Sequence, residues 1–195
     1  YPKENLPSVT KAPGANADIQ KAFNEGTLVM NYIGHGGELQ LSAKDILNTA
    51  DIQALSNSKY PFVVTATCDF GRYDAPSIVS GGELLLIHQN GGAIGLLTST
   101  RPVFQFSNEK LNDAFHQSIF ENQYTFGEVQ MRTKNLSINT GRINRNFALL
   151  GDPSMKLALP SESVSITKVN GLDFVPYRDT LKAQSKVSIS GEIRT

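Results

Sequence analysis

The sequence has a single cysteine, no tryptophan and no surplus of either charge, and most of these shortages exclude something. One cysteine among 195 residues cannot form an internal disulfide, so the chain is no disulfide-stapled scaffold. That lone thiol carries no information on compartment either. With 18 basic against 18 acidic residues, the chain lacks the basic excess by which nucleic-acid binders neutralise phosphates. No run approaches the roughly 18 apolar residues of a membrane span. The opening Tyr1-Pro2-Lys3-Glu4-Asn5 does not read as a signal peptide, and no Cys/His cluster has the spacing of zinc ligands. What remains is a chain long enough to bury a core without staples. Its one thiol is either a small buried hydrophobe or a working group.

The pattern along the chain predicts alternating strands and helices. Residues 1–17, rich in Pro, Asn and small side chains, read as a loop, and Ile19 to Phe23 as a short helix ended by Gly26. Thr27 to Ile33 is an apolar run of strand length, closed by Gly34-His35-Gly36-Gly37. Ser42-Ala43-Lys44-Asp45 has the form of a helix N-cap with an acid three residues on, ahead of Ile46, Leu47, Ile52 and Leu55. It predicts a helical crossover. Pro61 to Thr67 is a second, β-branched run that ends directly on Cys68. Ser80-Gly81-Gly82-Glu83 is another capping box opening Leu84 to His88, and Asn90-Gly91-Gly92 closes that helix as a left-handed cap would. Ala93 to Thr98 forms a third strand, and Ser107 is expected to cap a helix carrying Leu111, Ala114, Phe115 and Ile119 on one face. Gly127 to Leu136 is a further helix, and Phe147 to Leu150 runs into the turn Gly151-Asp152-Pro153.

Beyond about Pro160 the pattern changes. Val164 and Ile166, then Val187, Ile189 and Ile193, alternate with polar residues in the manner of half-exposed antiparallel strands. A domain boundary is placed there. The residues after it are too few for a β-sandwich of about 100 residues, so they read as the start of a β domain.

Strand, helix, strand, helix, strand between residues 27 and 98 predicts an α/β fold with a mostly parallel sheet and right-handed crossovers. Ligands bind such sheets beyond the carboxyl ends of the strands. His35 and Cys68 each follow an apolar strand, 33 residues apart, a spacing that fits one strand–helix–strand unit. If those strands are neighbours, about 4.8 Å apart, imidazole and thiol meet at one sheet edge. An imidazole can hold a thiol as thiolate or take its proton. With no side chains at Gly34, Gly36 and Gly37, a substrate carbonyl can approach the backbone. The amides of Gly36 and Cys68 could then face the developing oxyanion.

Each residue also has a plainer reading. A lone histidine after a strand is more often structural, and a lone cysteine at a strand end is more often core; it is their joint placement that points to chemistry. His88 and His116, inside helices, read as structural or surface groups. Asp69, Arg72 and Asp74 read equally well as a solvated loop or a substrate-pocket rim, and Glu38 as a rim carboxylate.

Asn31-Tyr32-Ile33-Gly34-His35-Gly36-Gly37-Glu38, followed by Ala66-Thr67-Cys68-Asp69-Phe70, resembles the gingipain-type cysteine peptidases, family C25, of the caspase-like clan. Gly71-Arg72-Tyr73-Asp74, Ser80 to Leu86 and Leu97 to Arg101 narrow the resemblance to the sortases of the type IX secretion system. Gly151-Asp152-Pro153-Ser154-Met155 is similar to the motif that closes the peptidase domain. The resemblance covers about residues 15 to 159. It implies a caspase-like α/β fold over residues 1–159 and an immunoglobulin-like β domain beginning at residue 160. By motif, Cys68 is the nucleophile and His35 the general base and acid.

Substrate contacts are looked for at Thr100, Arg101, Glu38 and Asp69. The implied activity is removal of the C-terminal sorting domain of secreted cargo through a Cys68 thioester. The new carboxyl end passes to water or to a lipopolysaccharide amine at the outer-membrane surface, beside a β-barrel partner of the PorV type. The dyad requires no cofactor, and the resemblance leaves room for a structural calcium ion. In this family the carboxylate that orients the histidine lies upstream of the histidine strand, as do the first strands of the sheet. The chain is therefore expected to be part of a longer protein. The competing class is a non-catalytic caspase-like surface module that binds or scaffolds with its dyad unused.

Overall fold

The computed structural model describes residues 4–5, 10–121, 123–160, 162–175 and 180–194. They form two compact units, Tyr1–Leu157 and Ala158–Thr195. In the first unit a short antiparallel pair, β1 (Glu4–Asn5) and β2 (Thr10–Lys11), precedes helix α1 (Pro13–Glu25). This helix starts well before the expected Ile19. The residues read as loop include Pro13, which stands in the first helical turn, where a missing N–H costs nothing and the fixed φ suits the helix. Gly26, at φ 97°, ends it.

Strand β3 (Val29–Ile33) leads into a three-stranded antiparallel meander of β4 (Gly36–Gly37), β5 (Gln40–Leu41) and β6 (Leu47–Asn48), followed by helix α2 (Thr49–Gln53). The expected cap at Ser42 is instead a turn. Ser42 and Asp45 both take positive φ, and Ser42 Oγ accepts from the Lys44 N–H at 3.1 Å. The capping box lies six residues later, where Asn48 and Asp51 cap each other's backbone.

Strand β7 (Phe62–Ala66) is buried along its whole length, as an apolar run in a parallel sheet must be. The Ser80 and Glu83 capping box opens α3 (Gly81–Ile87) as expected. The helix ends sooner than Asn90, with His88 already extended, and the left-handed residue is Gly92 at φ 105°. Strand β8 (Gly95–Ser99) follows, then α4 (Gln105–Ile119) and α5 (Phe126–Leu136), a 3₁₀ segment (Ile138–Asn146) and β9 (Phe147–Gly151). Helix α4 is capped by Phe104 backbone geometry, not by Ser107, whose hydroxyl lies inside the helix and donates to the Phe104 carbonyl at 2.8 Å.

The central sheet has the order β3-β7-β8-β9. The first two pairs are parallel, and β9 runs antiparallel on the edge. One face packs Val63 and Leu96 against Phe23 of α1, Ile52 of α2 and Leu85 of α3. On the other, Phe62 stacks on Phe115 of α4 and against Phe126 of α5, with centroids at 5.8 and 4.4 Å. The result is a three-layer mixed α/β unit with a mainly parallel sheet, as the sequence predicts.

The second unit is a three-stranded antiparallel sheet of β10 (Ser163–Val169), β11 (Leu172–Asp173) and β12 (Ile189–Arg194) in the order β11-β10-β12. Val164 pairs with Ile193 and Val169 with Ile189 across the ladder.

Candidate active site

His35 and Cys68 stand two residues beyond the paired strand ends Ile33 and Ala66. They line one cavity of about 280 Å³ with Ile33, Val103, Asn108 and Glu109 among its walls. A second concavity of about 230 Å³ continues on the other side of His35, along Gly36, Gly37, Gln40 and Ser42.

The backbone around the histidine is pinned from two sides. The Tyr32 hydroxyl donates to the His35 carbonyl at 2.6 Å, and the Ser42 N–H donates to the same oxygen at 2.7 Å. That second bond makes Gly36 and Leu41 a non-hydrogen-bonded pair of the β4–β5 hairpin, so the Gly36 amide is not spent on the ladder. Burial pushes the Tyr32 phenol above its ordinary range, with a bond from Ser42 acting against it. The imidazole itself is exposed. Among the described residues, no hydrogen bond reaches it.

The cysteine is half-buried and held by the loop after β8. The Val103 N–H donates to Sγ at 3.5 Å, and the thiol faces the Val103 carbonyl oxygen at 3.5 Å. Just before the cysteine, Thr67 is fully buried and its carbonyl accepts from Ser99 Oγ. Just after it, Asp69 takes φ 57°, so the chain turns sharply away at the sheet edge and leaves the thiol facing the cavity.

The other residues expected from sequence lie outside that cavity and form a rim of alternating charge. Glu38 accepts from Arg72 at 2.6 Å, and Arg101 donates to Asp74 at 2.9 Å. Burial, then the Glu38 charge, raise the Asp69 carboxyl above its ordinary range, while Arg72 and Arg101 pull it back. The Arg101 guanidinium holds the Asp74 carboxyl below the usual carboxylate range. Thr100 is occupied structurally, since its N–H and hydroxyl both donate to the Asn146 carbonyl at 2.7 and 3.0 Å.

Sequence reasoning missed the wall opposite the dyad. Asn108 is 5% exposed, and its Nδ2 donates to the Ala66 carbonyl at 3.0 Å. Its Oδ1, also buried, has no partner among the described residues. Gln105 Nε2 holds the Glu109 carboxylate at 2.9 Å. No spacing rule links these α4 residues to Cys68; the only local signal was their position just after the third strand. Among the described residues, no group of three or more His, Cys, Asp or Glu could hold a metal ion.

A thiol and an imidazole at the carboxyl ends of neighbouring parallel strands, over a shared cavity, form the arrangement that thiol-dependent acyl transfer needs. The chain belongs to peptidase family C25, whose model matches residues 1–158. Its fold is similar to that of the Arg-specific cysteine proteinase gingipain R (RgpB), at 23% identity and a TM-score of 0.67, covering 83% of this chain and 40% of that one. It is similar as well to the complex of Porphyromonas gingivalis RgpB pro- and mature domains, at 22% identity and a TM-score of 0.66, covering 83% and 41%. A third structure, described only as a protease, matches at 17% identity and a TM-score of 0.63, covering 78% and 46%. The chain thus spans less than half the length of these solved chains. No curated protein matches the sequence.

Proposed function

We propose that the chain carries the catalytic dyad of a cysteine endopeptidase, with Cys68 as nucleophile and His35 as general base and acid. The observation that supports this most directly is that both side chains line one cavity at equal register on adjacent strands. The concave surface on either side of His35 suits a polypeptide running through the site. His35 takes the thiol proton as Sγ attacks the scissile carbonyl. The amides of Gly36 and Cys68 receive the oxyanion, and His35 then gives the proton to the leaving amine as the C–N bond breaks. A Cys68 thioester remains. Water attacks it, with His35 as base, to release a free acid; an amine attacks in the same way to give an amide.

Within this reading the chain belongs to a PorU-type sortase of the type IX secretion system. Its cargo carries a C-terminal sorting domain, its acceptor is a lipopolysaccharide amine, and its partner is a PorV-like barrel at the outer-membrane surface of a Gram-negative bacterium. What supports this narrower role is the set of segments after each strand, Gly71 to Asp74, Ser80 to Leu86 and Leu97 to Arg101. The second unit reads as the first strands of an immunoglobulin-like domain. Among the described residues, no helix is long and apolar enough to cross a membrane.

The test is made on the full-length protein. Iodoacetamide should alkylate Cys68 near neutral pH much faster than a buried thiol, and His35→Gln should slow it. Cys68→Ala should abolish cargo processing. Mass spectrometry of the cargo's new carboxyl end separates hydrolysis (a free acid) from transpeptidation (an amide-linked conjugate). An unreactive Cys68 together with unchanged processing in Cys68→Ala would leave the non-catalytic surface module as the reading.

A further inference from the structure

A second charged concavity lies at the end of α5 and shares no lining residue with the His35–Cys68 cavity. Between Glu128 and Asp152 the sequence holds four cations and no acidic residue, in a chain of zero net charge. Arg132 is paired, donating to Glu121 at 2.9 Å. The other three are Lys134 on α5 and Arg142 and Arg145 in the 3₁₀ segment. They line one cavity of about 420 Å³, with the side chains of Asn135 and Asn144 beside them.

Among the described residues, none of these three cations has an ion-pair partner. Of the carboxylates on neighbouring helices, Glu128 is bound to its own cap at Thr125, and Glu109 is held by Gln105 at the other cavity. The backbone that presents the cations is fixed. Gly141, at φ 77°, kinks the 3₁₀ segment. Asn144, only 7% exposed, ties the segment to α5 by donating to the Lys134 carbonyl at 3.0 Å. Burial pulls the Lys134 ammonium below the ordinary lysine range, and among the described residues no carboxylate pairs with it.

We propose that this cavity is a binding site for a terminal phosphate group. Three clustered positive charges exceed what one carboxylate neutralises and match a dianion. Two guanidinium forks suit phosphate oxygens in bidentate geometry, with the ammonium as a further point charge. The amides of Asn135 and Asn144 flank the site as polar side chains that can orient the rest of the ligand. The volume lies within the range of about 300–1,000 Å³ typical of small-molecule sites. The shared chemistry is the terminal phosphate, which a free phosphate, a sugar phosphate or a phospholipid headgroup could each supply.

The test titrates the full chain by calorimetry at low ionic strength with inorganic phosphate, with glucose 1-phosphate and with vesicles containing phosphatidic acid. The comparison variants are Arg142→Gln/Arg145→Gln and, separately, Lys134→Gln, each checked for an unchanged thermal midpoint. Saturable binding that weakens about tenfold or more in either variant supports the site. Variant-sensitive binding of glucose 1-phosphate assigns a sugar phosphate. The same sensitivity for vesicles but not for glucose 1-phosphate assigns a lipid headgroup, and for inorganic phosphate alone, free phosphate. If no probe binds saturably, if binding is equal in the variants, or if sodium chloride displaces the probes as well as phosphate does, the site does not exist. Should the double variant fail to fold, Lys134→Gln alone carries the comparison.

Discussion

Gly36 packs directly against Thr67, so the loop that carries the histidine touches the residue preceding the cysteine. A Cβ on Gly36 would overlap Thr67 Oγ1 and stand 3.2 Å from the Gln40 carbonyl oxygen. Thr67 is fully buried. Gly36→Ala should therefore push the two loops apart, costing about 1–3 kcal/mol as overpacking does and lowering kcat/KM. Gly37→Ala, where a Cβ meets nothing within 4 Å, should be close to neutral, within about 0.5 kcal/mol. Thr67→Ala should restore part of the stability lost in Gly36→Ala, with a coupling of about 0.5–3 kcal/mol. Urea denaturation of the four proteins checks the cycle, and additive effects would show that the two loops do not meet.

Tyr32 fixes the histidine through its backbone, not its ring. Tyr32→Phe removes the donor to the His35 carbonyl and should cost about 1 kcal/mol, with kcat lowered more than KM because the imidazole loses its position. Burial favours the neutral phenol in the folded state, so the folded value lies above the ordinary 10.0. The resulting stabilisation is fully present below pH 10 and is lost as pH rises through the folded value. Wild-type stability should fall on that alkaline limb, and the fall should be smaller in Tyr32→Phe. Equal alkaline slopes for the two proteins would rule out this role.

The dyad was legible in the sequence for a geometric reason. Every pairing between β3 and β7 joins residues 33 apart, from Val29 with Phe62 to Ile33 with Ala66, and His35 and Cys68 continue that register past the strand ends. The same offset links β7 to β8, as in the hydroxyl contact of Thr65 with Thr98 at 2.6 Å. It carries the row on to Arg101. Strand-length apolar runs and their spacing encode such a row; the facing wall has no comparable code. Asn108 reaches Ala66 across 42 residues of chain, through a helix whose start is set by Phe104 backbone geometry. The Ser42 misreading has a physical cause too. Ser-x-x-Asp serves a tight turn as well as a cap, and here two residues at positive φ and the β5–β6 pairing decide for the turn.

Asp69 combines a left-handed backbone with a carboxyl whose charged form is disfavoured by burial and by Glu38. Asparagine tolerates that backbone and carries no charge. The folded carboxyl titrates above its ordinary 3.8. Its contribution is therefore favourable below pH 3.8 and is lost as pH rises through the folded value. At pH 7 Asp69→Asn should raise the thermal midpoint by about 1–2 °C, and the gain should shrink towards pH 4. Thermal scans across that range measure it. A gain that grows on acidification would mean that the Arg72 and Arg101 charges outweigh burial at this carboxyl.

Asn108 tests how dry the floor of the cavity is. Its Nδ2 donates to the Ala66 carbonyl two residues before Cys68, which also accepts from the Gly34 N–H at 3.3 Å. Among the described residues its buried Oδ1 has no partner, so an aspartate there would place a carboxylate oxygen against that carbonyl. Asn108→Asp should cost about 3–5 kcal/mol at pH 7, as an unpaired buried charge does. Asn108→Leu, which removes the donor without adding charge, should cost about 1–3 kcal/mol. The buried acid would titrate above the ordinary carboxylate range. Its neutral form, with an O–H to offer Ala66, is favoured below that point, so the Asn108→Asp deficit should narrow as pH falls towards 4 while that of Asn108→Leu stays constant. Both variants should also lower kcat, because the Ala66 anchor sets where β7 releases the cysteine. If Asn108→Asp were as stable as wild type at pH 7, water would have to reach Oδ1 freely, and the cavity beside the thiol would be wet.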